Sequence, residues 1–252
     1  MLQFYKINKK QIKIFFKFII FKIYKDIYLK KMEDLKSIET QDPDEKSCLE
    51  FLTMDKSSWQ INEQKDDYKL SYQYIQMMNP LKKTPEEKLS FCLEVTLKKP
   101  VDKVIKYLND INIRKTFDTL YKEGKILSET KGNPDIYQLY FLLKMGFVFS
   151  NRDFVVQKKI WKDYNNKKDN YLIHVISIDH KEYPEQSDPV RGIFLNRAAF
   201  IKPGEKEGET SLTLCNCIEM NIINVGSFMA ISKGSSGMKN WLNNLIEALE
   251  KE

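Results

Sequence analysis

The chain has 252 residues, of which 42% are hydrophobic and 12% aromatic, enough for the core of one domain with an extension. Its net charge of +6 is uneven, because residues 1–31 contribute +8 and leave −2 for the rest. A nearly neutral body argues against nucleic-acid binding, since phosphates attract basic surfaces. Two histidines, and four cysteines without a Cys-x-x-Cys pair, argue against a metal site.

Residues 1–31 combine apolar side chains with nine lysines. The lysines interrupt the apolar run too often for a membrane-spanning helix, which needs about 20 mostly apolar residues. Several recur at helical spacing, which is typical of a basic amphipathic helix on an anionic membrane surface: Lys6, Lys10, Lys13 and Lys17. Two alternatives stay open. Either the protein begins at Met32, or the segment is a signal anchor or another targeting segment.

The predicted domain covers residues 47–252, behind an acidic and polar linker at residues 32–46. A short helix is expected first, then two strands, then an amphipathic helix whose apolar residues follow the spacing i, i+3, i+4, i+7 behind Pro100. Five more strands follow, separated by turns rich in Gly, Pro and Asn. The predicted ranges are 47–54 and 101–110 for the helices, and 68–77, 89–97, 135–143, 153–161, 171–178, 190–201 and 210–220 for the strands.

A long C-terminal helix is predicted from one apolar stripe, with the turn and cap ahead of it at Gly234-Ser235-Ser236-Gly237. The stripe consists of Trp241, Leu242, Leu245, Ile246 and Leu249. The predicted fold is therefore α+β, a curved antiparallel sheet wrapped round this helix. Such an arrangement leaves an apolar cavity between the sheet and the helix.

Motifs for catalysis are missing from the sequence. There is no glycine-rich phosphate loop, no HExxH and no GxSxG. His174 lies between Ile173 and Val175 in a predicted strand and is interpreted as structural. We expect a binding protein and not an enzyme, with no catalytic residue, no cofactor and no metal.

Three stretches carry a resemblance to a known family: "FSNRDFVVQKKIW" from Phe149, "YLIHVISI" from Tyr171, and "DPVRGIFL" from Asp188. With "LNDINIRKTFD" and Trp59 ahead of them, they resemble the START lipid-transfer domain over about residues 45–250. Within that family the pattern is most similar to phosphatidylcholine transfer protein. The resemblance implies a helix-grip fold whose cavity holds one lipid. Enclosing acyl chains gains about 0.8 kcal/mol per buried methylene.

The resemblance also implies a set of lipid-binding residues. Arg114 and Asp118 stand where the family contacts the phospholipid head group, and a spacing of four places them on one side of a helix. The aromatic cage for a choline cation falls on Phe141, Phe154 and Leu195, so it lacks one ring. Lys158 stands where sterol-binding members have an arginine, and Arg191 completes the set.

Arg152 and Asp153, by contrast, are interpreted as structural, fixing a turn by a salt bridge or backbone hydrogen bonds. Alternation along the strand places Lys158 on the face of Phe154, Val156 and Ile160.

The expected function is lipid binding and transfer between membranes, with a phospholipid favoured as the ligand. We expect a cytoplasmic monomer that contacts membranes transiently and peripherally. The alternative is a helix-grip enzyme, or a lipid sensor associated with an acyl-thioesterase, that acts on an apolar substrate. A third interpretation is a scaffold with a collapsed cavity that binds other proteins.

Overall fold

The computed structural model describes residue 40 and residues 42–145, 150–222 and 226–251. The three interpretations of residues 1–31, and most of the predicted linker, lie outside this part and stay predictions. In the described part, no helix has both the length and the apolar character to cross a membrane.

The described part contains four α-helices, one short 3-10 helix (Tyr164–Asn166) and ten strands. The helices are α1 (Pro43–Thr53), α2 (Val101–Asn109), α3 (Ile111–Phe117) and α4 (Ser227–Glu250). The strands are β1 (Gln60–Gln64), β2 (Tyr68–Met78), β3 (Pro85–Leu97), β4 (Tyr121–Thr130), β5 (Asp135–Leu143), β6 (Arg152–Lys162), β7 (Tyr171–Ser177), β8 (Val190–Arg191), β9 (Ile193–Pro203) and β10 (Thr210–Glu219).

The strands form one sheet in the order β1-β2-β3-β10-β9-β7-β6-β5-β4, in which every neighbouring pair is antiparallel. The short β8 pairs with β6 in parallel. This confirms the predicted α+β helix-grip architecture. Two strands were not predicted, β1 and β4, and both lie at edges of the sheet. Most of their residues are exposed on both faces, so their sequences lack the apolar alternation by which strands are recognised.

The two faces of the sheet carry separate apolar clusters. The inner face packs against α2, α3 and α4, and the outer face packs against α1. Helix α1 begins at Pro43, four residues before its predicted start, because the Asp42 side chain accepts hydrogen bonds from the backbone NH groups of Asp44 and Glu45. Lys159, on the outer face of β6, forms ion pairs with Asp42 and Asp44 at 3.0 and 2.8 Å.

Helix α4 begins at Ser227, well ahead of the predicted turn at Gly234-Ser235-Ser236-Gly237. Those four residues lie inside the helix although glycine and serine are weak helix formers. Gly234 permits a close approach to the sheet, since a Cβ atom there would lie 2.4 Å from Cζ of Phe91. Tertiary packing therefore overrides the local preference for a break.

The charges at the start of β6 hold three segments together. Arg191 donates from Nε and Nη2 to the two carboxylate oxygens of Asp153, each at 3.0 Å. The same Nη2 also donates to the carbonyl of Tyr183 at 3.0 Å. Arg152 donates to the carbonyl of Met220 at 2.5 Å and to that of Asn221 at 3.3 Å. The structural interpretation of Arg152 and Asp153 is thereby confirmed.

The lipid-binding prediction for Arg191 needs correction. Asp153 and the carbonyls of Tyr183 and Pro184 engage this buried guanidinium, which does not line the central cavity. Its role is to tie β8 and the loop before it to β6.

Breaking this buried pair should destabilise the fold. We expect Asp153→Asn and Arg191→Met each to cost about 3–5 kcal/mol, because each leaves a buried charge without its partner. The double variant should cost less than the sum of the single variants. Urea unfolding of the four proteins measures this, with the exposed pair Lys251→Met and Glu247→Gln as a control cycle near zero. Additive effects at Asp153 and Arg191 would contradict the assignment.

Candidate functional site

A cavity lies between the inner face of the sheet and the three helices that cover it. Side chains from β5, β6, β7, β9 and β10 line one side. The end of α2, the helix α3 and Trp241 of α4 line the other. Most of these side chains are apolar. The volume of about 70 Å³ holds roughly two water molecules at about 30 Å³ each.

Arg114 and Asp118 form an ion pair beside this cavity. They lie on successive turns at the end of α3, and Nε and Nη2 of Arg114 are both 2.9 Å from Oδ2 of Asp118. Arg114 lines the cavity, whereas Asp118 is buried behind it. The carbon of the Arg114 guanidinium lies over two rings, 4.7 Å from the centroid of Tyr121 and 5.0 Å from that of Phe141.

The aromatic cluster beside Arg114 differs from the predicted cage. Phe141 and Phe154 are stacked with centroids 4.9 Å apart, and Phe194 lies 5.0 Å from Phe154. Phe141 and Phe194 line the cavity. Phe154 is fully buried behind them, against Gly192, where a Cβ atom would meet its ring at 2.4 Å. The guanidinium of Arg114, a cation of the protein itself, therefore already covers the rings of Tyr121 and Phe141.

Leu195 was predicted to face the cavity, and the structure corrects this. Strict alternation from Arg197 would point Leu195 inward. A β-bulge in β9 instead pairs Cys217 with Asn196 and the next residue, Ile218, with Phe194. Leu195 is the extra residue of this bulge, so the alternation shifts at this point. Leu195 therefore points to the outer face, where it belongs to the apolar cluster under α1, and Phe194 takes the inner position.

Lys158 points into the cavity, on the same face of β6 as Val156. Its Nζ donates to Oδ1 of Asn109 at 2.6 Å and to the carbonyl of Leu108 at 3.2 Å. Among the described residues, no carboxylate lies within ion-pair distance of this amine. Burial, with the charges of Arg197 and Arg114, lowers the pKa of Lys158 from 10.5 to about 7.

Arg197 is a third basic residue of the cavity, and the sequence reasoning missed it. It lies on the inner face of β9, with its guanidinium carbon 5.9 Å from the centroid of the Trp241 ring. Burial and the charge of Arg114 lower the pKa of Arg197 to about 10, partly offset by Asp118. The sequence did offer a signal for Arg197. It lies in a predicted strand two residues after Leu195, so alternation places it on the same face, and two alanines follow it.

The two histidines lie away from the cavity lining. His174 is buried on β7, with Nδ1 4.0 Å from Asp44 of α1 on the outer face. His180 lies in the loop before β8, beside the ring of Tyr183. In the described residues, no group of three or more His, Cys, Asp or Glu side chains is arranged to hold a metal ion.

The family follows from the sequence match. The sequence model of the START domain matches residues 47–222, more than half of the chain. The chain belongs to the START domain family. Members of this family bind and transfer lipids, and START domains are in general not enzymes. The more specific similarity to phosphatidylcholine transfer protein stays a prediction.

Solved START structures share the fold. Human STARD10 superposes with a TM-score of 0.68 at 15% identity, covering 85% of this chain and 82% of that chain. Human StAR-related lipid transfer protein 5 gives 0.67 at 14% identity, with coverages of 90% and 98%. The lipid transfer domain of human StarD13 gives 0.60 at 19% identity, with coverages of 76% and 89%. No curated protein has a matching sequence.

The low pKa of Lys158 predicts a distinctive pH dependence of stability. Between pH 7 and 10.5 the unfolded chain binds more protons than the folded one, so the free energy of unfolding should rise with pH through this range. Lys158→Met should remove that rise, which amounts to a few kcal/mol at about 1.4 kcal/mol per pKa unit.

Urea unfolding of the two proteins at pH 6, 7, 8.5 and 10 measures the difference. Lys115→Met, at an exposed position of α3, is the control, and its effect on the free energy of unfolding should be the same at each pH. If Lys158→Met also changed the free energy of unfolding by the same amount at each pH, the low pKa of Lys158 in its buried position would be contradicted.

Proposed function

We propose that this protein binds one lipid in the cavity under α4 and carries it through water between membranes. The observation that carries the proposal is an apolar cavity lined by three basic side chains, of which Arg114 is ion-paired to Asp118 behind the lining. Apolar walls suit acyl chains, and basic groups suit a phosphate. A phospholipid is therefore the favoured cargo, with Arg114 and Asp118 at its head group. The protein would work as a monomer in the cytoplasm and attach to membranes peripherally.

The cavity must enlarge to take such a cargo, since ligand pockets usually measure about 300–1,000 Å³ and this one measures about 70 Å³. Helix α4 is the element best placed to move. Its second half is anchored by three fully buried leucines, Leu242, Leu245 and Leu249. Its first two turns are mostly exposed. The Gly234-Ser235-Ser236-Gly237 stretch between the halves is intrinsically weak as helix.

A second candidate for the gate of the cavity is the loop before β8, which is comparatively well attached. Arg191 binds two of its carbonyls, and the ring of Tyr183 lies tilted against that of Tyr140 with centroids 4.9 Å apart. Lys125 also donates to the hydroxyl of Tyr183 at 2.9 Å. This supports the first half of α4 as the moving part of the gate.

Purified protein incubated with vesicles should carry lipid when it is separated from them and measured by native mass spectrometry. Arg114→Leu combined with Asp118→Leu should bind phospholipid about tenfold more weakly, because the head group loses its partners. The double change leaves neither charge buried alone. The exposed pair Lys251→Leu and Glu247→Leu is the control and should behave as wild type. A wild-type protein that takes up no lipid refutes the proposed function.

The exposed start of α4 should contact the bilayer during exchange. Phe228 and Met229 are 87% and 53% exposed and lie in its first turn. Phe228→Ser with Met229→Ser should slow transfer between vesicles about tenfold or more, because the segment loses the apolar area that enters the membrane. The melting temperature should not change.

Ile126→Ser, at another exposed apolar position on the edge strand β4, is the control. Fluorescent-lipid transfer between donor and acceptor vesicles gives the rate. If the control slows transfer as much as the change in α4, membrane contact is not localised there.

A further inference from the structure

The cavity lining carries more basic than acidic side chains. Three basic side chains line it, Arg114, Lys158 and Arg197, and Asp118 is the ion-pair partner of Arg114 alone. Among the described residues, the carboxylate at the lining itself is that of Asp110. Its Oδ1 caps α3 by accepting hydrogen bonds from the backbone NH groups of Asn112 and Ile113 at 2.7 and 3.3 Å. Within the described part of the chain, two basic groups are therefore left without an acidic ion-pair partner.

Arg197 is the more informative of these two groups. Among the described residues, no hydrogen-bond acceptor and no carboxylate engages its guanidinium, and its observed contact is the ring of Trp241. A guanidinium offers five donors in a rigid fork. Bringing it close to Arg114 and Lys158 in an apolar interior is unfavourable, as the lowered pKa values of Arg197 and Lys158 show. An anion placed among the three would remove this cost.

The aromatic rings argue against a cationic head group. A choline would need the open face of an aromatic ring. The rings of Tyr121 and Phe141 lie under the guanidinium of Arg114, which Asp118 holds in place. A quaternary amine would also lie among three basic side chains. A zwitterionic lipid therefore brings one group that the cavity favours and one that it repels.

We propose that the cavity selects a lipid whose head group carries a net negative charge, a phosphate or a carboxylate, and that Arg197 is its main specificity-determining residue. This rests on the proposed lipid-binding function. Arg197 can bind either anion through two parallel hydrogen bonds, and Lys158 adds a second donor. The apolar side chains of β9 and β10, including Phe194, Leu212 and Leu214, face the acyl chain.

A competition experiment tests this selectivity. Full-length protein is incubated with vesicles that contain equal amounts of phosphatidylcholine, phosphatidic acid and oleic acid, then separated and its lipids quantified by mass spectrometry. Wild type should be enriched about tenfold in the anionic lipids over phosphatidylcholine. The ratio of phosphatidic acid to oleate tells a phosphate from a carboxylate preference. Glycerol phosphate, which lacks acyl chains, should not compete at equal concentration.

Variants assign the selectivity to Arg197. Arg197→Met should reduce the enrichment to less than about twofold, and Arg197→Lys, which keeps the charge but loses the fork, should restore part of it. Lys202→Met removes the same charge from the outer side of the same strand and should leave the enrichment unchanged. Because Arg197→Lys keeps the cation in place, it provides a test even if Arg197→Met does not fold.

The outcomes separate this inference from the function on which it rests. Lipid uptake by wild type without anionic enrichment overturns the inference and leaves lipid binding intact. An anionic enrichment that neither Arg197 variant changes also overturns the inference and leaves lipid binding intact. Absence of any bound lipid in wild type refutes the proposed function and this inference together.

Discussion

A charge buried in an apolar interior must be compensated, and this constraint organises the structure. Within the sheet, Asp153 and Arg191 satisfy each other through two hydrogen bonds, so the start of β6, the short β8 and the loop before it hold one arrangement. On the outer face of the sheet, Lys159 forms ion pairs with two carboxylates at the start of α1. In the cavity, Arg114 is compensated by Asp118, but Lys158 and Arg197 have no acidic partner among the residues that the structure describes. The rule that accounts for the ion pairs within and outside the sheet therefore supports the proposal that the interior binds an anion.

The alternation of side chains along β6 explains why this central strand carries several charges. Along β6, Lys158 and Lys159 point to opposite faces. The outward lysine fastens α1 to the sheet, and the inward lysine reaches the end of α2 through Asn109 and the carbonyl of Leu108. The two lysines thus connect β6 to helices on opposite sides of the sheet, and neither charge disrupts the apolar core.

Sequence reasoning reached the architecture because central strands and the stripe of α4 follow the periods of their structures. The family resemblance, rather than periodicity, singled out Arg114, Phe141 and Lys158 as lipid-binding residues, and all three lie at the cavity lining. It failed at Leu195, since a bulge shifts the side-chain alternation without any change in local composition. It failed at Arg191 because the pairing with Asp153 joins residues 38 positions apart. Arg197 was overlooked although alternation from Ile201 and Ala199 points it inward.

Helix α4 shows a conflict of another kind. Local propensity at Gly234-Ser235-Ser236-Gly237 favours a break, and the packing of Gly234 against Phe91 favours a continuous helix. Natural sequences usually agree across these levels, and conflicts are expected where function requires a change of conformation. Here the conflict lies between the half of α4 fixed by three buried leucines and the exposed half that carries Phe228. A helix held firmly at one end and weakly at the other can open a cavity without unfolding the core around it.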